Sequence, residues 1–157
     1  MDTNYSDLSL SKISSLMGIP DDEPDERIPL SIWIDNIKDY KIKELTDGDI
    51  AKLIRQEIFL DYIVPEAINR IEKNPLAGSL GDGEILESFS MVSVDIWKSE
   101  GQKFCKELKL LLEEFLMKLQ SFKLDIPYHT ERFDDLDQAD LAKSIKKAIE
   151  NLNLALQ

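Results

Sequence analysis

The sequence predicts an all-α fold: a single-domain bundle of about seven or eight helices with one long central helix. Apolar residues recur at spacings of three and four along most of the chain, which is the pattern of an amphipathic helix. Stretches of alternating apolar and polar residues, which are typical of strands, are almost missing. The length of 157 residues suits one domain spanning 1–157, in which we expect residues 1–7 to be flexible.

Local signals predict four helices in the first half of the chain. Pro29 suits the first position of a helix. Thr46 and Asp49 form a capping box. Pro65 means that the fourth helix either starts near Val64 or is kinked there. The four predicted helices lie within Ser6–Met17, from Pro29 along a face of Leu30, Trp33, Ile34 and Ile37, from the cap at Thr46 along a face of Ile50, Leu53, Ile54 and Ile58, and at Leu60–Lys73.

The second half is predicted to contain four more helices, the first two short. They cover about Gly83–Ser90, Val94–Trp97, Ser99–Phe122 and Asp137–Leu154. The Ser99–Phe122 segment is the longest, and Leu110, Leu116 and Met117 widen its apolar stripe. We therefore expect this helix to be central and buried on more than one side.

Composition limits the possible partners and compartments. The chain has 31 acidic and 19 basic residues, a net charge of −12. This argues against direct binding of nucleic acid, which needs a basic face, and against an anionic membrane surface. It favours a basic protein partner. A single cysteine forms no internal disulfide, and neither a signal peptide nor a membrane-spanning run is recognisable, so we expect a cytoplasmic protein.

The sequence offers little for catalysis, and we expect no enzyme activity, cofactor or metal site. His129 lacks an obvious partner, and Cys105 lies beside an apolar stripe, where a thiol behaves as a small hydrophobe. Neighbouring carboxylates such as Glu113 and Glu114 point apart on a helix, whereas hydrolases need carboxylates that face each other.

Two short segments carry most of the excess acidic charge: residues 1–26 are net −6 and residues 124–140 are net −5. Two interpretations remain open. The segments either form a solvated surface or form a recognition face for a basic protein, since complementary charge accelerates association. On the second interpretation, the candidate contacts are Asp21, Asp22, Glu23, Asp25, Glu26, Asp134, Asp135, Asp137 and Asp140.

An ordered set of motifs occupies residues 42–97. It consists of Leu45-Thr46-Asp47-Gly48-Asp49-Ile50, Leu53-Ile54-Arg55-Gln56, Leu60-Asp61-Tyr62-Ile63-Val64-Pro65, Asn74-Pro75-Leu76-Ala77, Gly83-Glu84-Ile85-Leu86 and a later Trp97. In order and spacing, this set resembles the all-helical immunity proteins of bacterial contact-dependent growth inhibition (CDI) systems. The sequence departs from the family pattern at Phe59, where Gly is common, and at Glu84, where Asp is common.

The resemblance implies an antidote that binds the toxic C-terminal domain of a large surface protein delivered by a neighbouring cell. Many such toxin domains are nucleases, and a ribonuclease is favoured here. Because a nuclease holds phosphate in a basic cleft, an acidic inhibitor can cover that cleft in a 1:1 complex. The alternative is a helical adaptor that binds a partner other than a toxin.

Overall fold

The computed structural model describes residues 5–20, 22–120 and 135–157, and at residues 120 and 135–137 it describes the helical backbone alone. Within these ranges the backbone forms no strand, only an isolated antiparallel bridge between Ser9 and Lys41. The predicted all-α class is confirmed. The described part of the chain contains eight α-helices: α1 (Leu10–Leu16), α2 (Pro29–Ile37), α3 (Asp47–Arg55), α4 (Leu60–Lys73), α5 (Glu84–Ser88), α6 (Val94–Ser99), α7 (Cys105–Gln120) and α8 (Asp135–Ala155).

The chain divides into two compact units, residues 1–45 and residues 46–157. In the first unit, backbone hydrogen bonds from Ile42 N to Leu8 O (2.8 Å) and from Lys43 N to Ser6 O (3.0 Å) pair the start of the unit with its end. An ion pair between Lys43 and Asp7 adds to this contact. The domain boundaries 1–157 and the flexibility of residues 1–7 stay predictions.

The second unit opens with the predicted capping box. The Thr46 hydroxyl accepts a hydrogen bond from Asp49 N at 3.0 Å, and the Asp49 carboxylate accepts one from Thr46 N at 3.2 Å. These bonds satisfy two backbone donors that the first helical turn leaves without partners. The helix α3 then buries one face against α4 and α5, formed by Ile50, Ala51, Leu53 and Ile54.

A strained connection leads from α3 into α4. Glu57 and Phe59 both adopt left-handed backbone conformations, with φ of 58° and 52°. Such values are costly for residues with a Cβ atom. The helix α4 starts at Leu60 and contains Pro65, which resolves the two predicted alternatives: the helix does not begin near Val64.

The prediction of a long central helix at Ser99–Phe122 is wrong in two respects: where the helix starts, and its central position in the fold. Gly101 has a left-handed φ of 71° and donates its N–H to Asp61 Oδ1 at 2.7 Å, so the chain turns there and α7 begins at Cys105. Leu110 is 57% exposed and Met117 is 73% exposed, so α7 is buried on one face only. Phe122 lies outside the described residues.

Instead, α8 occupies the central position in the second unit. It has 21 residues against 16 in α7, and it packs against α5, α6, α7 and the 3₁₀ turn at Phe89–Met91. Its buried side chains are spaced by three and four, as expected for one face of a helix: Leu141, Ile145, Ala148, Leu152 and Ala155. Among the helices in the described ranges, none is long and apolar enough to cross a membrane.

Candidate functional site

The first predicted acidic segment lies in the first unit, between α1 and α2. Asp21 is outside the described residues. Asp22, Glu23 and Glu26 are exposed, and Asp25 is half-buried. The exposed carboxylates are therefore available to a partner, as the recognition hypothesis requires.

Asp25 differs from its neighbours because its carboxylate accepts hydrogen bonds from Arg27. The Arg27 side chain donates from Nε to Oδ1 at 3.0 Å and from Nη2 to Oδ2 at 3.1 Å, and the Arg27 backbone N–H donates to Oδ1 at 3.0 Å. The guanidinium, followed by this backbone N–H, lowers the pKa of Asp25. Arg27 is exposed and Asp25 is half-buried, and the guanidinium already offsets the charge of this carboxylate.

The second acidic segment lies at the start of α8 in the second unit. Asp134 is outside the described residues. Asp135 and Asp137 belong to the first turn of α8, and Asp140 is exposed. Acidic residues in a first helical turn complement the positive end of the helix dipole, so these positions also suit a stabilising role.

A third polar cluster, which the sequence analysis did not identify, fastens the loop between α4 and α5. At the base of the loop, Gly83 N donates to Leu76 O at 2.9 Å and Ile85 N donates to Ala77 O at 3.2 Å. The side-chain oxygen of Asn74 accepts from Leu76 N at 3.1 Å. These bonds close the loop where it leaves α4 and where it enters α5.

Glu84 and Ser79 fix the other side of this loop. Glu84 is 8% exposed, and its Oε1 accepts from Ser79 N at 3.1 Å, while its Oε2 lies 3.9 Å from Arg55 Nη1. The Ser79 hydroxyl accepts from Gly48 N, in the first turn of α3, at 2.8 Å. A buried carboxylate is costly without partners, and these contacts provide them. The cluster therefore joins the loop to α3.

Other polar side chains of the second unit also fasten its helices. Arg70 on α4 contacts Asp47 at 3.0 Å and Glu66 at 2.9 Å, which connects the start of α3 to α4. The carboxylate of Glu57 accepts from the backbone N–H and the hydroxyl of Ser93, the N-cap of α6, at 3.3 and 3.1 Å. These charged side chains have partners within the protein, so the structure gives them a structural role.

The structure gives Cys105 a role in the core. The residue is completely buried, and its Sγ lies 3.6 Å from Gly101 O and 3.8 Å from Trp97 O. Burial raises its pKa to about 11, so the thiol is neutral near pH 7. A neutral, buried thiol is a poor nucleophile. His129 lies outside the described residues, and in the described part no group of three or more His, Cys, Asp or Glu residues could hold a metal ion.

The described residues define a class: an all-helical protein whose buried polar groups hold loops and helices together, in a chain with a net charge of −12. Comparison with known families then identifies the group within this class. The profile of the family described as CDI immunity proteins matches residues 16–107, more than half of the chain. The chain therefore belongs to the CDI immunity proteins, which gives it an immunity role against a cognate toxin. No curated protein matches it.

Proposed function

We propose that this immunity protein neutralises a nuclease toxin, with a ribonuclease favoured, by binding over the toxin's active site as a 1:1 complex in the cytoplasm. The observation that carries the proposal is the acidic charge concentrated in residues 1–26 and 124–140 of a chain of net charge −12, because several of these carboxylates are exposed. Asp22, Glu23, Glu26 and Asp140 show this exposure. Asp21, Asp25, Asp134, Asp135 and Asp137 complete the proposed contact set.

The physical basis is competition for one basic cleft. A nuclease binds the phosphates of its substrate with Lys and Arg side chains, so its active cleft attracts carboxylates as well. Clustered opposite charges accelerate association by roughly 10- to 1000-fold at low salt. The same attraction raises specificity, because like charges repel a wrong partner. Occlusion requires no chemistry on the immunity protein, so the family assignment and the buried Cys105 are both compatible with a non-enzymatic inhibitor.

The first experiment reverses charge in the exposed part of residues 22–26. The variant Asp22→Lys/Glu23→Lys/Glu26→Lys is mixed with the cognate C-terminal toxin domain. Its association rate and affinity are then compared with wild type at two salt concentrations. We expect association to slow at least about tenfold at low salt, with a smaller difference at high salt.

A matched control distinguishes the loss of a local contact from the effect of the changed net charge. Glu72→Lys/Glu87→Lys/Glu107→Lys changes the net charge equally at three other exposed positions, and it should slow association much less. If the 22–26 variant keeps its affinity within about threefold, or ~0.65 kcal/mol, that segment is not the contact. Equal effects of the two variants on association would also exclude residues 22–26 as a local contact.

Occlusion itself needs a competition experiment. A catalytically inactive toxin domain is loaded with a short fluorescent RNA, and the immunity protein is added. Binding over the active site predicts complete displacement of the RNA at a concentration set by the two affinities. A stable ternary complex of toxin, RNA and immunity protein would show that inhibition acts from another surface.

A further inference from the structure

An apolar side chain stands at the tip of the fastened loop between α4 and α5. Leu80 is 89% exposed, the largest exposed fraction of any large apolar side chain in the described ranges. Single exposed apolar residues are common on protein surfaces and by themselves indicate nothing. The environment of Leu80 sets it apart, because the backbone on both sides of it is held in place.

The contacts that hold the backbone lie close to Leu80 in the chain. Ser79, directly before it, donates its N–H to Glu84 and accepts from Gly48 N. Gly83, three residues after it, donates to Leu76 O. The fit between the loop and α3 is tight, since a Cβ atom on Gly48 would lie 3.0 Å from Ser79 Cβ. Leu80 therefore projects from a preformed support, which lowers the entropy cost of using it in binding.

Several charges near this tip are paired within the protein. Asp47, beside the Gly48 that contacts Ser79, lies 3.0 Å from Arg70, and Arg55 lies 3.9 Å from Glu84. The site is thus an apolar projection beside charges that already have partners. Its complement is an apolar pocket on the cognate toxin domain, the partner that the family membership implies.

We propose that Leu80 is a binding anchor that inserts into an apolar pocket on the cognate toxin domain. The inference rests on the proposed toxin binding and adds a contact that the acidic segments do not provide. Residues 22–26 and 135–140 contribute mainly charge, and their contribution falls with salt. The Leu80 contribution comes from apolar burial, so it persists at high salt.

The test measures toxin affinity by calorimetry with the full chain and a catalytically inactive toxin domain, at high salt. We expect Leu80→Ala to weaken binding by about 10- to 100-fold, as anchors in well-packed pockets do. Leu80→Asp should weaken it further, whereas Leu80→Met should stay within about threefold of wild type because it keeps an apolar side chain of similar volume. The melting temperatures of all variants should match that of wild type, because the side chain is exposed in the free protein.

Met117→Ala on α7 provides the matched control, since Met117 is the next most exposed apolar side chain, at 73%. Its affinity should stay within about threefold of wild type. Tight binding by wild type together with unchanged binding by Leu80→Ala would overturn the anchor and leave the proposed function intact. An equal loss in Leu80→Met would also overturn it. Absence of wild-type binding would overturn both proposals.

Discussion

Replacing Gly78 by Ala should strongly destabilise the protein, although the change adds only one methyl group. A Cβ atom at this position would overlap the carbonyl oxygen of Gly81 and lie 2.7 Å from Glu84 Cβ. Non-bonded heavy atoms are most stable at about 3.5–4.0 Å, so the Gly81 carbonyl must move by roughly 1 Å or more. The neighbouring residues restrain that movement because they carry the hydrogen bonds that fasten the loop.

The size of the effect follows from what the movement disturbs. Overpacking of this kind costs about 1–3 kcal/mol. Loss of the hydrogen bond from Ser79 N to Glu84 Oε1 costs about 1 kcal/mol more, and part of the buried carboxylate then loses its partner. We therefore expect a loss of about 3 kcal/mol in the free energy of unfolding. For a chain of this size, each kcal/mol shifts the melting temperature by about 2–4 °C, so Tm should fall by about 6–12 °C.

Gly81→Ala is the matched control in the same loop. A Cβ atom on Gly81 has no neighbour within 4 Å, and its φ lies outside the left-handed region. This substitution should be neutral or stabilise by up to about 1 kcal/mol, because Ala has less conformational freedom in the unfolded chain. Both variants are measured by thermal and denaturant unfolding, followed by circular dichroism. A Gly78→Ala protein within 0.5 kcal/mol of wild type, or one more stable than Gly81→Ala, would refute the reasoning.

Two further predictions concern the backbone at Phe59 and the thiol of Cys105. With φ at 52°, Phe59→Gly should be more stable than Phe59→Ala by about 1 kcal/mol, the reverse of the order in a helix, and unfolding of the two variants checks this directly. Burial raises the pKa of Cys105 from 9.0 to about 11, so between these pH values the folded protein retains a proton that the unfolded chain loses. Stability should thus fall by about 2–3 kcal/mol from pH 9 to pH 11. Unfolding of Cys105→Ala should lack this part of the decline.

The sequence was most informative where structure depends on neighbouring residues. The capping box of Thr46 and Asp49 is confirmed, because its two hydrogen bonds join residues three positions apart. The helix around α7 was predicted less well. A continuous apolar stripe does not reveal that Gly101 turns the chain to meet Asp61, forty residues earlier. Nor does it reveal that Leu110 and Met117 face solvent, because burial depends on which helices pack together.

For the candidate site, the sequence indicated residue types but not their surroundings. It placed Asp25 among equivalent acids, whereas Arg27 offsets the charge of Asp25. In the sequence, the fastened loop lies between the motifs Asn74-Pro75-Leu76-Ala77 and Gly83-Glu84-Ile85-Leu86, and neither motif shows what holds it. The role of Glu84 requires knowing that the loop meets α3 through Ser79, a contact 31 residues apart in sequence. Such contacts between distant residues leave no local pattern.

The division between buried and exposed charges suggests how an immunity protein can change its partner without changing its fold. Arg70, Glu84 and Glu57 contact other elements of the second unit. Substituting one of them leaves its partner without a hydrogen bond or ion pair and therefore lowers stability. Substitutions at exposed positions such as Glu23 or Leu80 usually alter stability by less than about 0.5 kcal/mol. The exposed members of the proposed contact set therefore lie where sequence can vary at little structural cost, unlike Asp25, which pairs with Arg27, and Asp135 and Asp137 in the first turn of α8. This separation lets exposed contacts change while the buried polar groups keep the helices in place.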